Sequence, residues 1–81
     1  MEHFVYILLC KDKTLYTGYT NDLLKRIIAH NSLKTGARYT KARRPVKLIY
    51  FEKFETKSLA LKREAVIKKM RKKQKLDIIK R

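Results

Sequence analysis

Five polar side chains stand apart from the surface filler of this chain: Tyr6, Tyr16, Arg26, His30 and Glu64. Tyr6 and Tyr16 lie ten residues apart, on the two arms of a stretch that reads as a β-hairpin. Arg26 and His30 form an i, i+4 pair, so a helix there places them side by side on one face. A guanidinium has the planar fork that grips phosphate oxygens in pairs. An imidazole exchanges a proton near neutral pH, whereas a phenol is a poor base at its ordinary pKa of ~10. Each residue also has a purely structural use. Tyrosines are common in strands, Arg26 could pair with Asp22, and Glu64 could pair with Lys68 at i+4. Chemistry therefore depends on whether the fold brings the five together.

The elements that must position them can be read along the chain. Phe4 to Cys10 is a β-rich apolar run without polar alternation, as expected of a strand covered on both faces. A polar break, Lys11 to Thr14, precedes a returning strand over residues 15–20, in which Gly18 permits close backbone approach. Thr20 or Asn21 is placed to N-cap a helix over residues 21–31, with Asp22 in its first turn and Leu23, Leu24, Ile27 and Ile28 as its apolar stripe. Residues 32–45 read as the one long loop, and Val46 to Phe54 as a third strand. From Thr56 the chain is helical, with Leu59, Val66 and Met70 on a narrow arc, Ala60 and Ile67 extending it, and Glu64 at its border. A break near Arg71 separates a second short helix carrying Leu76, Ile78 and Ile79.

The order β-β-α-β-α-α predicts an α/β (α+β) fold, a small three-stranded, mainly antiparallel sheet sandwiched by helices. The hairpin register carries a condition. Tyr6 and Tyr16 share a face only if paired residue numbers sum to an even value, as when Cys10 opposes Thr14. The even register is predicted.

The 81 residues make one domain, 1–81, with a core at about 3–70 and a basic helical segment at 71–81. Its charge is the dominant number: 22 Lys and Arg against 7 Asp and Glu, a net +15. The surplus is uneven, with six basic and no acidic residues over 34–47, and eleven against two over 57–81. Such self-repulsion calls for a polyanion, and nucleic acid is the first candidate because each neutralised phosphate releases counterions. Lys34, Arg38, Lys41, Arg43 and Arg44 could follow a phosphate backbone, with Tyr39 available for base stacking. Lys68, Lys69, Arg71, Lys72, Lys73 and Lys75 add a second basic surface.

Other classes are excluded or disfavoured. Cys10 is the one cysteine, so no internal disulfide forms; it is expected to be a buried structural thiol in a reducing cytoplasm. One Cys and two His cannot build a four-ligand zinc site of the usual kind. The longest apolar run is seven residues, far below the ~20 that span a bilayer. No membrane role is expected.

Val5-Tyr6-Ile7 followed by Tyr16-Thr17-Gly18 resembles the paired motif of the GIY-YIG endonuclease superfamily, with matching spacing to Asn21-Asp22-Leu23, Arg26, His30 and Glu64. The Gly36-Ala37-Arg38-Tyr39-Thr40 stretch, with Arg43-Arg44-Pro45-Val46, is similar to a short stand-alone bacterial branch of it. The resemblance implies a nuclease in which Tyr6 sits beside the attacking water and Tyr16 orients that water or the scissile phosphate. It further implies that Arg26 stabilises phosphate charge, that His30 assists proton transfer, and that Glu64 holds one divalent ion, Mg²⁺ or Mn²⁺. A one-carboxylate site suits magnesium, which keeps waters and takes substrate oxygens. Arg26 and the ion are expected to depress the Tyr6 pKa, with His30 taking its proton onward. Val5 stands where the motif has glycine and Thr17 where it has isoleucine. Many members also carry a late Asn, whereas the asparagines here are Asn21 and Asn31.

The resulting expectation is a metal-dependent DNA endonuclease, structure-selective in repair or recombination, with DNA ahead of RNA as substrate. The alternative is a non-catalytic module that keeps the fold and binds branched DNA or RNA for a protein partner.

Overall fold

A computed structural model of the protein describes residues 2–32 and 38–80, with Arg38 and Tyr39 described in their backbone alone. The elements are β1 (His3–Leu9), β2 (Leu15–Thr20), α1 (Leu23–Asn31), α2 (Arg38–Lys41), β3 (Lys47–Phe54), α3 (Lys57–Lys68) and α4 (Lys72–Ile79). The three strands form one wholly antiparallel sheet in the order β2-β1-β3. Because β1 is central, helices cover it on both sides, which is why its sequence does not alternate. Val5 and Ile7 face α3 and α4 together with Ala60 and Ile67. Tyr6 and Leu8 face α1 with Cys10, Val46, Leu23 and Ile27. The predicted α+β sandwich is the observed fold, with the four-residue α2 added inside the long loop.

The hairpin adopts the even register. Tyr6 opposes Gly18, Leu8 opposes Tyr16, and the Cys10 N–H donates to the Thr14 carbonyl at 2.9 Å. Both tyrosines therefore lie on the α1 face. Cys10 is buried at 2% exposure, as expected of a structural thiol, and burial pushes its pKa up.

Three local expectations shift. Helix α1 is capped by Asp22, whose carboxylate accepts from the Lys25 N–H at 3.1 Å. Thr20 lies two residues before that cap, and its hydroxyl accepts from the Asp22 N–H at 3.0 Å, outside the helix. Of the α1 stripe, Leu23 and Ile27 point inward, but Leu24 and Ile28 are 71% and 62% exposed. Helix α3, capped by Thr56, is rotated from the arc read in the sequence. Ala60 and Ile67 are fully buried, whereas Leu59 and Val66 are each 49% exposed. The small Ala60 lets the helix approach the sheet, and the bidentate ion pair from Arg63 to Glu52 of β3 (3.0 and 3.1 Å) fixes the rotation. Glu64, four residues after Ala60 and three before Ile67, thereby moves from the border onto the inward side.

The break before α4 has a cause other than Pro or Gly. The Gln74 side chain reaches back and accepts from the Arg71 N–H at 2.9 Å, giving α4 its own N-terminus.

Candidate active site

The α1 face of the hairpin and the C-terminal half of α1 bring four of the five singled-out residues together. Tyr6 Oη lies 2.8 Å from His30 Nε2, and the Arg26 Nε–H donates to the same oxygen at 3.4 Å. Tyr6, aided by the Tyr16 side chain, holds the Arg26 pKa up. The rings form a cluster, with centroids at 6.4 Å for Tyr6–Tyr16, 5.8 Å for Tyr6–His30 and 5.1 Å for Tyr16–His30. Arg26 thus turns toward the tyrosines rather than toward Asp22.

The cluster is layered by depth. Tyr6 and His30 are fully buried, while Tyr16 and Arg26 are half-buried and face outward. Gly18 makes this layering possible. A Cβ on Gly18 would run into Tyr6 Oη, would sit 2.6 Å from Tyr6 Cζ and would lie 3.1 Å from Tyr16 Cε2. The Tyr6 ring lies directly across that glycine. Gly18→Ala is expected to cost about 1–3 kcal/mol by overpacking and to displace both rings. A thermal melt together with the near-ultraviolet tyrosine signal would check this.

Burial governs the electrostatics. It pushes the Tyr6 hydroxyl up to about 12, outweighing the Arg26 hydrogen bond and charge that act downward. The expectation that Arg26 would leave Tyr6 with a depressed pKa is therefore corrected for the free protein. The charge of Glu64 adds a small upward push, so its carboxylate is felt at the Tyr6 hydroxyl. Burial, then the charges of Arg26 and Arg44, lowers His30 to about 4. Both groups are neutral near pH 7.

The His30 shift makes stability depend on pH. An unfolded chain binds a proton at His30 near pH 6.5, which the folded chain refuses until about pH 4. The contribution is therefore complete above pH 6.5 and is lost as pH falls toward 4, by about 3 kcal/mol in all. Denaturant unfolding at pH 7, 5.5 and 4.5 should show this slope, and His30→Gln should flatten it.

Glu64 comes from α3, on the far side of the sheet from α1. Its side chain is 17% exposed and pairs with Lys68 at 3.4 Å, the structural use open to it. Among the described residues no group of three or more His, Cys, Asp or Glu side chains could hold a metal ion. Glu64 is nonetheless a carboxylate whose charge reaches the Tyr6 hydroxyl, and one carboxylate fits a magnesium ion completed by waters and phosphate oxygens.

The basic segments divide into engaged and exposed cations. The Arg43 guanidinium donates to Asp12 in the β1–β2 turn at 2.9 Å, and Arg44 Nε donates to the His30 carbonyl at 2.6 Å. Lys72 Nζ donates to the Lys13 carbonyl at 2.8 Å. That turn therefore joins the two basic surfaces at one end of the molecule. Lys41, Lys69, Arg71 and Lys73 are exposed. Lys34, and the side chains of Arg38 and Tyr39, lie outside the described residues.

Two site neighbours went unrecognised in the sequence. Thr40 is fully buried, and its Oγ1 lies 2.8 Å from His30 Nδ1. Asn31 brackets Val46, accepting its N–H at 2.8 Å and donating to its carbonyl at 3.2 Å. Thr40 stands in the quoted Gly36–Thr40 stretch, but nothing local shows that its hydroxyl meets His30. Thr17, opposite Ile7, points into the α3 face, where its hydroxyl is buried without a hydrogen-bond partner. An apolar side chain would suit that position, as the motif's isoleucine does.

Comparison with known proteins identifies the family of the chain. A family model described as the GIY-YIG catalytic domain covers residues 2–77. The chain is 57% identical over 79 residues to a UPF0213 protein of Syntrophus aciditrophicus, covering 98% of this chain and 91% of that protein. It is 58% identical over 77 residues to a UPF0213 protein of Clostridium perfringens, covering 95% and 82%. Among solved structures, the solution NMR structure of an Enterococcus faecalis protein superimposes with a TM-score of 0.68 at 49% identity, covering 99% of this chain and 84% of that one. That of a UPF0213 protein from Bacillus halodurans gives 0.64 at 41% identity, with the same coverage. The matched span takes in the hairpin, α1 and Glu64, and the chain belongs to the GIY-YIG catalytic domain family.

Proposed function

We propose that this protein is a metal-dependent endonuclease that hydrolyses DNA phosphodiester bonds. The observation that carries the reading is the layered cluster, with Arg26 and Tyr16 outward and Tyr6 bonded to His30 behind them. The family's nuclease character and the net charge of +15 support a nucleic-acid substrate.

Hydrolysis needs a water stripped of its proton, neutralised phosphate oxygens and a stabilised leaving oxygen. Arg26 and Tyr16 are placed to meet the phosphate. The Arg26–Tyr6 contact of 3.4 Å is long for a hydrogen bond, so an incoming phosphate competes well for the guanidinium. Movement of Arg26 toward substrate uncovers the Tyr6 hydroxyl to water. Tyr6, protonated because of burial, accepts the water's proton while passing its own to His30 Nε2, a relay of two short steps. The negative phosphate then raises the proton affinity of His30 from its low resting value. Glu64 would hold the divalent ion, which supplies charge stabilisation at the phosphate and the leaving oxygen. Lys41, Lys69, Arg71 and Lys73 supply exposed positive charge for the flanking backbone.

The complete burial of Tyr6 favours a second reading, a binding module whose relay stays closed. The test is incubation with labelled single-stranded, duplex and branched DNA, and matching RNA, in Mg²⁺, Mn²⁺ or EDTA at two salt concentrations. Cleavage of DNA that requires metal is the expected result. Binding without cleavage of any substrate would replace the nuclease reading with the module.

A further inference from the structure

Tyr6 Oη is fully buried and has two hydrogen-bond neighbours, Arg26 Nε and His30 Nε2. A guanidinium cannot accept, so Arg26 donates, and of the two neighbours His30 Nε2 is the acceptor left for the hydroxyl hydrogen of Tyr6. A neutral imidazole carries one hydrogen, which is then on Nδ1, 2.8 Å from Thr40 Oγ1. We infer that Thr40 is a positioning residue that accepts the Nδ1–H of His30, holding the ring in the tautomer whose Nε2 can take the Tyr6 proton.

The resulting chain runs one way, from Arg26 to Tyr6 to His30 to Thr40. Free imidazole side chains favour hydrogen on Nε2, so the fold imposes the less common form. Thr40 is held to its task by the loop around it. Arg44 bonds the His30 carbonyl, and Asn31 brackets Val46, so the segment bearing α2 is stapled to the end of α1. The low His30 pKa keeps the ring neutral and the tautomer meaningful at pH 7. The catalytic consequence rests on the nuclease reading, whereas the tautomer rests on geometry alone.

Long-range ¹H–¹⁵N spectra of the ¹⁵N-labelled full chain at pH 7 read the tautomer directly, with His3, bonded to Tyr19, as the other imidazole to be assigned. In wild type, His30 is expected to be protonated on Nδ1 and bare on Nε2. Thr40→Val should move the hydrogen to Nε2 and lower kcat about 10²-fold with KM for DNA unchanged. Thr40→Ser should restore both readouts. A wild-type or Thr40→Ser spectrum with the hydrogen on Nε2 overturns the inference, whether or not the protein cleaves DNA and even if Thr40→Val does not fold. A folded Thr40→Val protein that keeps Nδ1–H and full kcat overturns it equally. The spectrum needs no turnover, so absence of cleavage in every variant counts against the nuclease reading alone.

Discussion

Glu64→Gln is expected to lower DNA cleavage in Mg²⁺ by about 10³-fold while leaving DNA affinity unchanged or tighter. The amide is nearly the size of the carboxylate but binds a hard cation far less well. The fold should tolerate the change, because the ion pair lost is the Glu64–Lys68 contact at 3.4 Å, worth a few tenths of a kcal/mol at i, i+4 spacing. Binding should not suffer, since the variant adds to an already large positive charge. A side effect sharpens the reading. The Glu64 charge is one of the influences raising the Tyr6 pKa, so its removal makes that proton easier to lose. Loss of cleavage would therefore report on the ion and not on Tyr6. Single-turnover cleavage and filter binding on the same DNA would check it, and a variant that cleaves at the wild-type rate would remove Glu64 from the site.

Arg26→Lys is expected to reduce cleavage by about 10²–10³-fold despite conserving charge. The half-buried guanidinium donates to Tyr6 and interacts electrostatically with Tyr16. A single ammonium on a flexible stem cannot bridge the two tyrosines and a phosphate in one fixed geometry. Affinity should change little, because Arg26 is one of 22 basic residues while its geometry matters most when charge develops on the phosphate. The signature is a fall in kcat with KM nearly constant. A fall confined to KM would instead make Arg26 one more backbone contact.

How much of this was legible in the residues varies with the range of the cause. The strands, the order of elements and the break near Arg71 were readable, because apolar runs and periods depend on neighbours in the chain. The parity of the hairpin was predicted from the joint role the family resemblance implies for the tyrosines, not from local pattern. A turn over Lys11 to Thr14 leaves two registers, and the even one places Tyr6 and Tyr16 on one face, where they are found. Arg26 and His30 could be foreseen as neighbours because they needed only a helix, whereas the set of five as a site rested on the family resemblance.

What waited for the tertiary structure were properties set by contacts distant in sequence. The rotation of α3, which turns Glu64 inward, follows from the close fit of Ala60 and the Arg63–Glu52 pair, eleven residues apart. Thr40 meets His30 only because the loop folds back onto α1. The Tyr6 pKa moved opposite to expectation because a sequence shows which charges are present but not how much water remains. Arg26 could be foreseen as a neighbour of Tyr6. The burial that outweighs it arises from β2, α1 and the Gly18 gap closing around one ring, a sum over elements that only the assembled fold contains.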